Sequence, residues 1–527
     1  MSNIFRKNLG TSDNNLALIE YAAESGCKKM KEYSINEIQA LMEKGEISAR
    51  KLTEMYLTRI HEVDKSGPKL NSIIEINPEA LEIAENLDKE WKNKKIRGPL
   101  HGIPVIIKDN INTADKMQTT AGSLAFKVHI ALEDAFIVKK LREAGAIILA
   151  KANLSEWANF RSTRSTSGWS SRGGQTLNPY SLDRSPCGSS SGSAVAVAAN
   201  LCSVAIGTET DGSIICPSQV NSIVGIKPTI GLVSRTGIIP ISHNQDTAGP
   251  MARTVQDAAI LLGIIAGVDS NDLSTIKHKK EIPSDYTRFL DSNGLNGARI
   301  GVARNYFGKN DRIDKIIEGA IKKMKELGAE IIDPVEIKTI DDLEDPEFEI
   351  LLFDFKHDLN EYLAKYGPIN SIKNIDDIIQ FNKEHQEKVM PYFGQEIFIM
   401  ASEKGPLTSD EYKEALKKCH RLARDEGIDA VLKEHQLDAI IAPSGGAAWP
   451  IDYVNGDHFT EGSSSAAAVA GYPNITVPVG YVFGLPVGIS FFGGAFQEPK
   501  LLKIAYSFEQ STQIRKSPKF LPKLDLL

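Results

Sequence analysis

Residues 134–150 read DAFIVKKLREAGAIILA, and this run decides the fold class. Its first part, Asp134 to Gly145, carries apolar residues at helical spacing and ends on a glycine. Its second part, Ala146-Ile147-Ile148-Leu149-Ala150, is a short apolar run of the kind that forms a strand buried on both faces. Upstream, Ile103-Pro104-Val105-Ile106-Ile107 has the same texture. Downstream, the helix-prone run Ala194 to Leu201 leads into Val204-Ala205-Ile206. Strands alternating with helices predict an α/β sheet.

Farther out, the first hundred residues read as helical. Ser34-Ile35-Asn36-Glu37 is a capping box, and Gly45 stops the helix after it. Ser48 caps a second helix whose apolar face is Leu52, Met55, Tyr56, Ile60 and Val63. From Asp269 to Glu434 the chain is again charged and helical, with one strand at Ala298 to Val302. Apolar strands return at Ala439 to Pro443, Ile475 to Val479 and Gly488 to Phe492. We therefore divide a single domain, 1–527, into a helical segment 1–98, a catalytic core 99–268, a helical insertion 269–434 and C-terminal core strands with a helix, 435–527. A length of 527 residues permits one large core in an α/β enzyme.

Composition narrows the function classes. A net charge of −7 without a basic tract gives no nucleic-acid footprint. Met1 to Gly10 carries Arg6 and Lys7, but no apolar core of signal-peptide length follows, and no apolar run is long enough to span a membrane. The five cysteines (Cys27, Cys187, Cys202, Cys216 and Cys419) are odd in number and form no C-x-x-C pair. They fit a reduced compartment better than a disulfide framework. A cytoplasmic location is the expectation, unless the natural start has been trimmed.

The chemistry concentrates between Leu100 and Ser213. H-E-x-x-H, P-loop and dinucleotide glycine patterns are absent, and the ten histidines show no metal-ligand spacing in sequence, so no cofactor or metal is expected. Two serine-glycine runs stand out: Cys187-Gly188-Ser189-Ser190-Ser191-Gly192-Ser193, opening an Ala/Val-rich helix, and Gly207-Thr208-Glu209-Thr210-Asp211-Gly212-Ser213-Ile214. Glycine-rich turns point several backbone N–H groups at one place, which amide hydrolysis needs for its oxyanion. One such run is ordinarily just a capped turn, and Ser190 and Ser193 read as helix-start caps. The first run also matches G-x-S-x-G, which would make Ser190 the nucleophile of an α/β-hydrolase esterase. That elbow requires a preceding strand, and Asp183-Arg184-Ser185-Pro186 makes a poor one. Cys187 and Cys216 flank the runs, but no histidine stands in a partner motif for a cysteine nucleophile.

In combination these segments resemble the amidase signature family. Leu100-His101-Gly102-Ile103-Pro104-Val105-Ile106-Ile107-Lys108-Asp109 is similar to its lysine segment, Cys187 to Ser193 to its bridging-serine segment, and Thr208 to Ser213 to its nucleophile segment. Gly225 to Thr229, Asp246 to Arg253, Leu485 to Ile489 and Phe508-Glu509-Gln510 match later landmarks, so the resemblance spans about residues 30 to 510. Departures are Cys187, Ser191 and Asp211 in place of glycines, and Ile215 where many members carry arginine. Together with Gly168 to Gln175 and Asp183 to Cys187, these make the chain most like the peptide amidase branch.

The resemblance implies an α/β fold in which a mixed central β-sheet is covered by helices on both faces. It implies Lys108, Ser189 and Ser213 as catalytic residues, with Ser189 following a cis peptide bond and relaying protons from Ser213 to a neutral Lys108. The backbone amides of Thr210, Asp211, Gly212 and Ser213 would form the oxyanion hole. Trp169 and Ser190 are candidate substrate contacts, and Asp211 would either orient its loop or touch substrate. The expected partner is a small-molecule or peptide amide, with no nucleic acid, membrane or cofactor; the oligomeric state stays open. The rival readings are the glutaminase component of an amidotransferase, the Ser190 esterase and an inactive binding protein.

Overall fold

The computed structural model describes residues 19–20, 29–277, 282–367 and 371–524. Met1 to Gly10 and Cys27, read above for export and redox state, lie outside the described residues.

Eleven strands form one mixed sheet. In chain order they are β1 (Ile73–Ile76), β2 (Pro104–Lys108), β3 (Ile147–Ala152), β4 (Val204–Glu209), β5 (Val224–Lys227), β6 (Thr247–Ala252), β7 (Arg299–Ala303), β8 (Glu330–Val335), β9 (Ala439–Pro443), β10 (Asn474–Val482) and β11 (Leu485–Phe492). Their spatial order is β8-β7-β9-β11-β10-β5-β6-β4-β2-β3-β1. β2 runs parallel to β3 and β4, and β7 parallel to β8 and β9; the other pairings are antiparallel. Every residue of β2, β3 and β4 is buried, so both faces of the sheet are covered.

The N-terminal helices follow their sequence signals. α1 (Ile35–Glu43) carries the complete Ser34–Glu37 capping box, and α2 (Ala49–Arg59) is capped by the Ser48 hydroxyl. α3 (Ala80–Lys92) completes the segment. The helical reading of this region misses β1, an edge strand paired with β3. The sequence pattern elsewhere misses β5, β6 and β8. β6 reads Thr-Ala-Gly-Pro-Met-Ala and has little intrinsic strand preference, yet it is laddered along its full length against β4. Its pairing to β5 begins only at Met251, so Pro250 lies beyond that ladder and its missing N–H is tolerated.

The insertion holds β7, the one strand expected there, and a second, β8, and the two lie at one edge of the sheet. Its longest helix, α6 (Glu344–Tyr366), packs Leu351, Leu352 and Phe355 with Phe126, Trp157, Phe160 and Phe398. This cluster lays the insertion over the loops that follow β2 and β3.

Candidate active site

Lys108 is the last residue of β2, and its side chain is completely buried. Its Nζ lies 2.7 Å from Ser189 Oγ, 2.8 Å from Thr208 Oγ1 and 3.1 Å from the Thr208 carbonyl. Asn110 also donates to Thr208 Oγ1, at 3.0 Å. Burial pushes the lysine amine down to about 7, against the opposing pull of Asp246 and Glu209. Close to neutrality the amine is therefore available as a base.

Ser189 follows a cis peptide bond from Gly188 and precedes α4 (Ser191–Ala198). Gly188 has no room for a side chain, because a Cβ there would lie 2.2 Å from Ser155 Oγ. Ser190 stands at the N-cap position of α4, but neither its hydroxyl nor that of Ser193 caps the helix. The Ser190 hydroxyl donates to the Thr208 carbonyl at 3.0 Å and accepts from the Thr208 amide, and Ser193 donates to the Ile206 carbonyl. Both serines clamp α4 onto β4. Ser190 is fully buried and follows irregular chain rather than a strand, so the geometry of a hydrolase elbow is absent.

Ser213 sits in the turn between β4 and α5 (Ile215–Val220). Glu209 shapes this turn by accepting the amides of Ile214 and Ile215 at 2.6 and 2.9 Å. Gly212 takes φ +75°, a conformation that favours glycine. The Ser213 carbonyl accepts the Ser190 amide at 3.2 Å, which ties the two serine-glycine runs together. Among the described residues, Ser213 Oγ makes no hydrogen bond, and the amides of residues 210–213 donate to no protein acceptor. The Lys108–Ser189 contact is thus closed, whereas no hydrogen bond joins Ser189 to Ser213; such links often tighten only with substrate bound.

Both Asp211 carboxylate oxygens are occupied, by the hydroxyls of Ser464 and Ser465 at 2.5 and 2.6 Å. Asp211 orients its loop. Thr210 donates to Asp246 at 2.6 Å, and the other oxygen of Asp246 accepts the amides of Ile241 and Ser242. Sequence reasoning passed over Thr208, Glu209, Asp246, Ser464 and Ser465 as site residues. Thr208, Glu209 and Asp246 lay inside quoted motifs. The Ser463-Ser464-Ser465 run, some 250 residues away, offered no signal without the fold.

Ser213 opens into a cavity of about 440 Å³ walled by Gly188, the 210–213 turn, Phe160, Leu351, Trp449 and Phe459. Trp169 and Ser190 are not among its lining residues. Trp169 instead packs edge-on against Tyr392 and Phe393 and beside the Arg161 guanidinium, so it pins the loop to the insertion. The reduced-cysteine reading also fails for one pair. Cys187 and Cys216 form a disulfide in the cavity wall, while Cys202 and Cys419 are buried thiols. These cysteines are 29 residues apart in the chain, and only the folding of β4 beside α4 brings them together.

This arrangement joins a buried amine of lowered pKa, a serine against it and a second serine that borders the cavity beside unpaired amides, as amide hydrolysis requires. The amidase family model matches residues 51–502. The chain belongs to the amidase family. It is an enzyme, a C–N hydrolase acting on amides, and its sheet and helices form the amidase signature fold. This amidase is 49% identical to a native peptide amidase from Stenotrophomonas maltophilia, with a TM-score of 0.87 over 93% of this chain and 99% of that one. It is 43% identical to a probable amidase of Arabidopsis thaliana, covering 93% of this chain and 92% of the relative. It is also 35% identical to the A-type component of a glutamyl-tRNA(Gln) amidotransferase from Caldanaerobacter subterraneus, over 92% and 97% of the two chains. No helix of the described amidase is long and apolar enough to cross a membrane.

Proposed function

We propose that this amidase converts a primary carboxamide to a carboxylate and ammonia with Ser213 as nucleophile, Ser189 as relay and Lys108 as base, and that its substrates are peptides with a C-terminal amide. The observation that carries the mechanism is the buried Lys108 Nζ at 2.7 Å from Ser189 Oγ. A neutral lysine has two N–H bonds and one lone pair. Its N–H groups are used by the carbonyl and hydroxyl of Thr208, which leaves the lone pair for the Ser189 proton. Ser189 can then take the proton of Ser213 as that oxygen attacks the amide carbon. The oxyanion develops against the unpaired amides of residues 210–213, each such donor being worth about 3 kcal/mol. The proton held on Lys108 returns through Ser189 to the departing nitrogen, so ammonia leaves and an ester on Ser213 remains. Water repeats the sequence, releasing the acid and restoring the serine.

The substrate reading is supported by the likeness to the peptide amidase and by the cavity. A volume of about 440 Å³ suits a short peptide end, with aromatic and aliphatic walls for its side chains. The test compares ammonia release from a dipeptide amide, the same peptide extended by one residue, and free glutamine, without ATP or tRNA. Release from the peptide amide alone is expected. Cleavage of the internal bond, or preference for glutamine, overturns the substrate reading while leaving the serine chemistry in place.

A further inference from the structure

A second constellation stands beside the active-site cavity, and amide hydrolysis makes no use of it. His243, in the loop between β5 and β6, meets His357 and Asp358 on α6. One donor atom from each lies within 4.8 Å of the other two. His243 Nδ1 is 3.0 Å from both oxygens of Asp358, and His357 Nδ1 is 2.9 Å from Oδ1. In a tetrahedral site with metal–ligand bonds of about 2.0 Å, neighbouring donors stand about 3.3 Å apart. An ion can therefore replace the protons now shared within the two His–Asp pairs, with the imidazoles, whose donors lie within 4.8 Å, closing on it. Both histidine side chains are half-exposed, so an ion can reach them.

We propose that His243, His357 and Asp358 form an accessory binding site for a divalent cation of the zinc class. Two imidazoles and one carboxylate select first-row transition ions over magnesium or calcium. The outer contacts are those that hold ligating groups in place. Asp358 Oδ2 accepts the His243 backbone amide at 2.6 Å. His243 Nε2 lies 3.4 Å from the Tyr412 hydroxyl, which donates to Asp354 at 2.8 Å. That placement leaves Nδ1 as the metal-binding nitrogen of His243. The local charge also suits a cation. Asp354 lies 3.6 Å from His243 Nδ1, and the nearby Arg235, whose guanidinium donates to the His243 carbonyl, is neutralised by Asp272. Three protein ligands leave one position open. His243 and Asp358 line a cavity of about 310 Å³ that shares Ala158, Thr210 and Ile241 with the cavity over Ser213. A bound ion would stand at the side of the site, outside the reaction.

The experiment uses the full chain without a polyhistidine tag, stripped with a chelator, and zinc(II) alone in equilibrium dialysis. Cobalt(II) serves as a visible-absorption reporter of its ligands. One tight equivalent of zinc is expected, with cobalt absorption of nitrogen and oxygen coordination. The His243→Ala/His357→Ala variant should lose that equivalent, and its metal-free amidase activity shows that it is folded. Tyr412→Phe, which keeps all three ligands, should weaken binding by about tenfold. Weak binding spread over several equivalents, or one tight equivalent retained by the double variant, overturns the proposal.

Discussion

The floor and the roof of the cleft are built on different terms. The floor, around β2, β4 and the 210–213 turn, is made of small residues whose polar atoms are buried and individually assigned. Ser190, Ser193, Asp211 and Asp246 each hold a particular loop or strand. The roof is supplied by the insertion and consists of amphipathic helices. Its α6 buries Leu351, Leu352 and Phe355, and the solvent side of the insertion carries ion pairs such as Arg421–Glu426. The difference is one of tolerance. A buried hydrogen-bonded group that loses its partner is left unsatisfied, at about 1–3 kcal/mol, whereas an exposed pair returns to water.

The largest effect expected on the floor is at Ser213. Ser213→Ala should lower kcat by at least about 10³-fold, because no other group can form the acyl-enzyme. Its thermal midpoint should stay within about 2 °C of the parent, since Oγ holds no partner. Residual turnover above about a hundredth of the parent rate, measured with a peptide amide, would move the nucleophile elsewhere.

Lys108 gives the next effect and a pH signature. With its amine pushed down to about 7, Lys108 is protonated below that pH and cannot accept the Ser189 proton. The logarithm of kcat/KM should therefore fall by about one unit per pH unit on the acid side of that value. Lys108→Ala should lose about 10²–10⁴-fold and, in whatever activity remains, lack this limb. An unchanged limb in the variant would assign it to another group.

The disulfide tests whether the floor depends on position more than on polarity. Cys187 is two residues before Ser189, and Cys216 is three after Ser213, so their bond ties together the two serines proposed as relay and nucleophile. Cys187→Ser/Cys216→Ser should lower kcat about tenfold with little change in KM, because a small misplacement of reacting groups is costly. If only the thermal midpoint falls, the bond serves stability alone.

The smallest effect is expected on the roof. Arg421→Ala removes an exposed pair and should change unfolding free energy by less than about 0.5 kcal/mol, with activity unaltered. A large loss there, by denaturant titration, would erase the distinction between floor and roof.

Much of this was legible in the residues. Apolar runs placed β2, β3, β4, β7, β9, β10 and β11 to within a few residues, because strands buried on both faces are written as continuous apolar stretches. The capping box at Ser34 was realised as written. β6 was hidden because its Gly-Pro pair has no strand preference, and β8 because its Asp333-Pro334 pair reads as a turn. The serine-glycine runs nominated the residues that the fold brings beside Lys108 and the cavity, but not the contact of each hydroxyl. Ser189 and Ser190 are adjacent in one motif, yet one faces Lys108 and the other the backbone of β4.

The sequence by itself determined the α/β class, through local pattern, and the family, through the resemblance of its motifs; it nominated Lys108, Ser189 and Ser213. The tertiary structure alone decided which polar atoms meet. It joined Cys187 to Cys216, set Ser464 and Ser465 on Asp211, packed Trp169 against Tyr392 and Phe393, and brought His243 to His357 and Asp358. The physical reason is that hydrogen bonds, disulfides and the burial that lowers a lysine's pKa act over a few ångströms of space. Folding sets such distances between residues that lie tens or hundreds of positions apart in the chain.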